Sequence, residues 1–110
     1  MIEWSRVNEL RDEIGDENLD EVIDLFLEEV EDVITRLRST PDLTRLEEDL
    51  HFLKGSALNL GFSHFSDLCM AGEQMAAAGQ AGAVDLSAIL AGFDASKAAF
   101  EAGLPKRLTG

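Results

Sequence analysis

Apolar positions recur at intervals of three and four along most of the chain, and no stretch alternates with a period of two. Five segments carry this helical pattern, so the expected fold is all-α. The first runs from about Ser5 to Ile14, with Val7, Leu10 and Ile14 on one face and Ser5 placed to cap its start. Gly15 and Asp16 break it. The second runs from about Glu17 to Arg38 and carries the longest stripe: Leu19, Val22, Ile23, Phe26, Val30, Val33, Ile34 and Leu37. Its opposite face, with Asp24, Glu28, Glu29, Glu31 and Asp32, has the character of a solvated surface.

The stretch "RSTPDL" stops this helix and starts the next, with Thr40 as a cap and Pro41 suited to a first helical position. The third helix carries Leu46, Leu50, Leu53, Ala57 and Leu60, and Gly61 closes it. After the short loop "GFS", Ser63 caps a fourth helix that turns Phe65, Leu68, Cys69, Gly72, Met75 and Ala76 inward. The fifth runs from about Leu86 to Ala102 on a face of Ile89, Leu90, Phe93, Ala98 and Phe100, and residues 103–110 are expected to fray. Helices of this length on short loops make antiparallel neighbours. The expected architecture is an antiparallel up-down four-helix bundle with an additional short N-terminal helix over one end. At 110 residues it makes one domain, 1–110, with a modest core.

Composition narrows the chemistry. The single cysteine, Cys69, allows neither an internal disulfide nor a cysteine cluster for zinc, and no metal site is expected. Cys69 and the methionines suit core filling. No apolar run approaches the roughly 20 residues of a membrane span. The acidic N-terminus is unlike a secretory signal, which leaves a reducing cytoplasm as the simplest compartment. A net charge of −13 argues against a nucleic-acid backbone or an anionic membrane as partner.

The candidate chemistry lies in "HFLKGS", His51 to Ser56. A glycine inside a helix costs roughly 1 kcal/mol relative to alanine, so Gly55 needs a reason. At about 100° per residue, His51 falls roughly 140° from the centre of the apolar stripe, on the outer flank. Lys54 and Gly55 follow at i+3 and i+4 and bracket it, so the Lys54 ammonium can lie beside the imidazole. Gly55 points away from the core, which excludes close packing as its purpose and favours access for a bulky partner. An imidazole is a nucleophile able to carry a covalent group. A lysine suits phosphate oxygens, and a cleared surface suits in-line attack on a group delivered by another macromolecule.

An antiparallel count about Phe62 places Glu73 at the height of His51, facing the third helix. It could accept a hydrogen bond from one ring nitrogen and orient the other outward. Glu47, at i−4 from His51, competes for that role. His64 lies in the first turn of its helix, with Asp67 and Leu68 one turn on, and has the setting of an ordinary exposed histidine. Leu58, and with it Trp4 or Val7, are candidate apolar docking groups.

The segment "HFLKGSALNLGFSHFSDLCMAGE", His51 to Glu73, resembles the signature of histidine phosphotransfer (HPt) domains: H-x-x-K-G, a helix-ending glycine six residues on, and a following helix. The resemblance implies a free-standing phosphorelay intermediate in which His51 takes a phosphoryl group from a receiver-domain aspartate and passes it to another receiver. Lys54 would hold phosphoryl oxygens and Gly55 would keep the approach open. Glu73 stands where some members carry glutamine or another polar residue that hydrogen-bonds the histidine. The implied partners are receiver domains of response regulators or a hybrid histidine kinase. Mg²⁺ would belong to the receiver, and the chain would need no cofactor and be no turnover enzyme. Two other classes compete: a helical adaptor that binds such domains without carrying phosphate, and an enzyme using His51 as general base. The intact His51, Lys54 and Gly55 speak against the first, and the lack of a paired nucleophile or phosphate-cradling loop against the second.

Overall fold

A computed structural model of the chain describes residues 2–109, with side chains described for residues 2–103. Five α-helices follow in order: α1 (Trp4–Ile14), α2 (Asp16–Ser39), α3 (Leu46–Leu60), α4 (Ser63–Ala77) and α5 (Leu86–Thr109). Short 3-10 turns at Leu43–Arg45 and Ala81–Ala83 precede α3 and α5. The four longer helices close a ring, α2 on α3, α3 on α4, α4 on α5 and α5 back on α2. The α3–α4 hairpin is the most extensive pair, and α1 packs across α2 and α3. This is the expected four-helix bundle with an added N-terminal helix. Among the described residues the extended pairing is a single bridge, Ile2 with Phe62.

The stripes form one core. α2 buries Leu19, Ile23, Leu27, Val30, Ile34 and Leu37, and α3 buries Leu46, Leu50, Leu53, Ala57 and Leu60. Leu27 lies outside the expected stripe, while Phe26 and Val33 are only half-buried. The buried face of α2 is rotated toward α5, which is held to that flank by the ion pairs Lys97–Glu31 and Arg38–Asp94, the second at 2.6 Å. On α5 the core face is Ile89, Phe93, Ser96 and Phe100. Ala98, expected inside, is exposed, because the 3–4 spacing from Phe93 to Phe100 runs through Ser96.

The helix ends differ from the sequence reading in instructive ways. α1 starts at Trp4 rather than after a Ser5 cap. Its start is set by Glu3, whose amide donates to the Gly61 carbonyl at 2.7 Å while its own carbonyl accepts from Arg6. Thr40 ends α2 instead of starting α3. The cap before α3 is Asp42, whose carboxylate accepts from the Thr44 amide at 3.0 Å and the Thr44 hydroxyl at 2.6 Å. Phe62, not Ser63, occupies the N-cap of α4. Gly61 does close α3, in the left-handed region at φ 78°, with the Phe62 amide reaching back to the Ala57 carbonyl at 2.8 Å. A Cβ there would lie 2.6 Å from the Glu3 carbonyl oxygen, so glycine is required twice over.

The tail also departs from expectation. α5 is helical to Thr109, past the Ala102 end, and of the residues expected to fray Gly110 lies outside the described ones. The Trp4 indole stacks on Phe100 with ring centroids 5.8 Å apart and covers the backbone at Gly103, which anchors this turn. Val7 is buried. Trp4 and Val7 therefore serve packing, and neither is a free docking group.

Candidate functional site

The site is built on the outer flank of α3, where the stripe of leucines turns His51 away from the core. Its side chain is 73% exposed. One turn on, Gly55 is exposed, and a Cβ built there would meet nothing within 4 Å. A shallow depression of about 240 Å³ beside the ring is lined by Glu47, Glu48, His51 and Glu73.

Glu73 reaches this flank from α4. The residue before it, Gly72, is packed against the side chains of Leu50, Ile89 and Val84, so α4 lies close to α3 at this height. The Glu73 carboxylate then serves two partners. Its Oε2 lies 2.8 Å from His51 Nδ1, and its Oε1 accepts from Lys54 Nζ at 2.7 Å. Lys54 thus lies against the carboxylate rather than free beside the imidazole. The Glu73 side chain is only 15% exposed, so water screens the pair less than it would on an open surface.

The Lys54 hydrogen bond, opposed by desolvation and reinforced by His51, holds the Glu73 carboxyl below its ordinary value of 4.5. An ionised carboxylate only accepts hydrogen bonds. The Nδ1 nitrogen must therefore carry the proton, which leaves the Nε2 lone pair free on the exposed side of the ring. Glu47 lines the same depression but makes no hydrogen bond to the ring, so the two orienters considered from sequence are not equivalent.

The other candidates separate cleanly. His64 is exposed at the start of α4. Cys69 is fully buried, and burial, with the Glu73 charge adding to it, pushes its thiol up to about 12, so it is an inert core residue. No group of His, Cys, Asp and Glu among the described residues is arranged to hold a metal ion. Of the proposed docking groups, Leu58 is 56% exposed, and Phe52, next to His51, is a second exposed apolar side chain that the wheel did not single out.

Sequence reasoning also missed a part-buried ion pair near the site. Arg36 of α2 grips Asp49 of α3 through two hydrogen bonds of 2.7 and 3.0 Å, and Asp49 raises the guanidinium above its ordinary value. This clamp fixes the first turn of α3, two residues before His51. The signal was present: Asp49 lies at the edge of the apolar stripe, and a carboxylate there needs a cationic partner.

The sequence model of the Hpt domain matches residues 21–103, from within α2 to the last third of α5. The chain belongs to the Hpt family. It is 31% identical over 83 residues to the phosphorelay protein LuxU of Vibrio harveyi, an alignment covering 73% of each chain. No solved structure matches. As an Hpt chain it is a phosphorelay intermediate of two-component signalling, a phosphocarrier and not a turnover enzyme. Helix α1 lies outside the matched Hpt segment, although Glu3 ties it to the α3–α4 turn and Trp4 to α5. No helix among the described residues is long and apolar enough to cross a membrane.

Proposed function

We propose that His51 is the phosphoryl carrier of this Hpt chain, accepting the group from the aspartate of one receiver domain and passing it to another. The observation that carries this reading is the ring's arrangement: Nδ1 engaged by Glu73 at 2.8 Å, and the opposite edge exposed beside an open Gly55. The Nε2 lone pair attacks the phosphorus of the receiver's aspartyl phosphate. The P–N bond forms as the P–O bond breaks, and the leaving electron pair stays on the aspartate carboxylate. The Nδ1 proton stays between ring and Glu73, whose negative charge offsets the positive charge the ring gains. Return transfer reverses each step.

Lys54 stands one turn from His51 and supplies an ammonium for phosphoryl oxygens, with Glu73 holding it until the group arrives. Gly55 keeps the approach open for a folded partner. Leu58 and Phe52 offer apolar contact around the ring. The partners are receiver domains of response regulators or of a hybrid histidine kinase, in the cytoplasm. Any Mg²⁺ belongs to the receiver, and the chain needs no cofactor of its own.

The test is to incubate the chain with receiver domains of the same genome, each phosphorylated with acetyl phosphate, beside His51→Gln. The wild type is expected to gain acid-labile, alkali-stable phosphate and the variant none. Stable binding of a receiver with no phosphate gained by the wild type would replace the carrier with an adaptor.

A further inference from the structure

The charges around His51 are poorly matched to its cargo. A phosphoryl group on nitrogen brings about two negative charges at neutral pH. The depression that receives it is lined by three carboxylates, from Glu47, Glu48 and Glu73. The nearest ammonium, Lys54, is already held by Glu73 at 2.7 Å, so that pair contributes no net positive charge. Glu48 has a loose contact with Arg45 at 3.9 Å, both side chains well exposed. Glu47 has no ion pair among the described residues. Both lie one turn before His51, at i−4 and i−3, on the exposed face of α3.

We propose that Glu47 and Glu48 poise phospho-His51 as a high-potential donor, shifting the equilibrium between His51 and a receiver aspartate toward the receiver. This rests on the reading that His51 carries the group. Unlike Glu73, neither residue hydrogen-bonds the ring, so neither orients it. Their net effect on the transfer is repulsion, since the phosphoryl dianion outweighs the single positive charge that the ring gains beside it. The reaction is the balanced exchange already described, with phosphorus moving between Nε2 and the aspartate oxygen, and the rim charges change only its equilibrium constant. A carrier built this way binds its cargo weakly and gives it up readily.

The experiment measures the equilibrium distribution of labelled phosphate between the chain and one exchanging receiver domain. Wild type is compared with Glu47→Gln/Glu48→Gln at low salt and again near 0.5 M salt. Phosphorylation adds about one net negative charge at His51, the dianion less the ring's positive charge, so two unit charges roughly 10 Å away in a water-like medium should move the ratio by about threefold at low salt. The variant is expected to hold about threefold more phosphate on His51 at low salt, with the difference shrinking toward nothing at high salt. Asp24→Asn/Glu28→Gln on the exposed face of α2 removes the same net charge away from the site and is expected to leave the ratio at the wild-type value.

A wild-type ratio in the rim variant at low salt overturns the inference while leaving His51 as carrier. An equal shift in the α2 variant also overturns it, since net charge and not the rim would then be responsible. If the wild type takes no phosphate from any receiver, the carrier reading itself falls. Both rim side chains are exposed, and matching thermal unfolding of variant and wild type shows that the fold is intact.

Discussion

Gly55 on α3 and Gly72 on α4 interrupt the two helices of one hairpin for opposite reasons. A Cβ at Gly55 would meet nothing within 4 Å, whereas one at Gly72 would sit 2.8 Å from Leu50 Cδ1 and 3.2 Å from methyls of Ile89 and Val84. The inner glycine removes bulk so that two helices approach. The outer glycine removes bulk where no other described residue is near, so the space it leaves is available to something outside the molecule. The same residue in the same kind of helix serves packing in one place and docking in the other, and only its angle to the core tells them apart. The two are also linked. Close approach at Gly72 brings Glu73 against α3, where it meets His51 and Lys54.

The largest effect should come from the inner site. Gly72→Val forces methyl groups against Leu50, Ile89 and Val84, and the fully buried Leu50 must shift to make room. Overpacking of this kind costs about 1–3 kcal/mol. It should also push α4 away from α3 and loosen the Glu73 contact, so the variant is expected to lose both unfolding free energy and transfer rate. Chemical denaturation and a phosphotransfer time course read the two. Unchanged stability would mean that the hairpin is looser than the packing at Gly72 describes.

At the outer site the two readouts should move in opposite directions. Gly55→Leu replaces glycine by a strong helix former on an open face, which should stabilise the fold by up to about 1 kcal/mol. The leucine side chain then stands in the path of a receiver. Displacing reacting groups by about an ångström can cost a factor of a hundred, so transfer should slow by at least about tenfold. A more stable chain with a slower reaction separates access from packing. Wild-type transfer in Gly55→Leu would sink the access argument and leave His51 untouched.

Much of this contrast is legible in the sequence because it rests on angles that 3.6-residue periodicity sets. The stripe of α3 alone turns His51 and Gly55 outward, and a count about the α3–α4 turn brings Glu73 level with His51. What periodicity does not carry is the choice among partners. Lys54 was expected beside the imidazole, yet it lies against Glu73, because a half-buried carboxylate draws the nearest ammonium. The turn of α2 toward Leu27 depends on ion pairs with α5, more than fifty residues away, which no local pattern announces. The caps failed for a similar reason. Ser5 and Ser63 are good capping residues, but the tertiary pairing of Glu3 with Gly61 sets where α1 begins, and the turn after α3 puts Phe62 at the α4 cap.

Glu73 joins the two sites, and its titration offers the smallest and most specific test. Its carboxyl is held below 4.5 in the fold, chiefly by Lys54. A carboxyl depressed on folding contributes stability that is fully present above its unfolded value and is lost as pH falls through its folded value. With 22 acidic residues in the chain, the acid limb of the wild type alone says little about any one of them. The difference between wild type and Glu73→Gln isolates it, since the other carboxyls largely cancel. The variant keeps an amide oxygen for His51 but loses the charge that holds Lys54. The stability gap should therefore be constant near neutral pH, narrow as pH falls below 4.5, and close once Glu73 is protonated in both the folded and the unfolded chain. Urea unfolding at a series of pH values measures the gap. A gap that stays constant down to the lowest pH would show that the carboxylate's charge contributes nothing, and that Glu73 holds His51 and Lys54 by hydrogen-bond geometry alone.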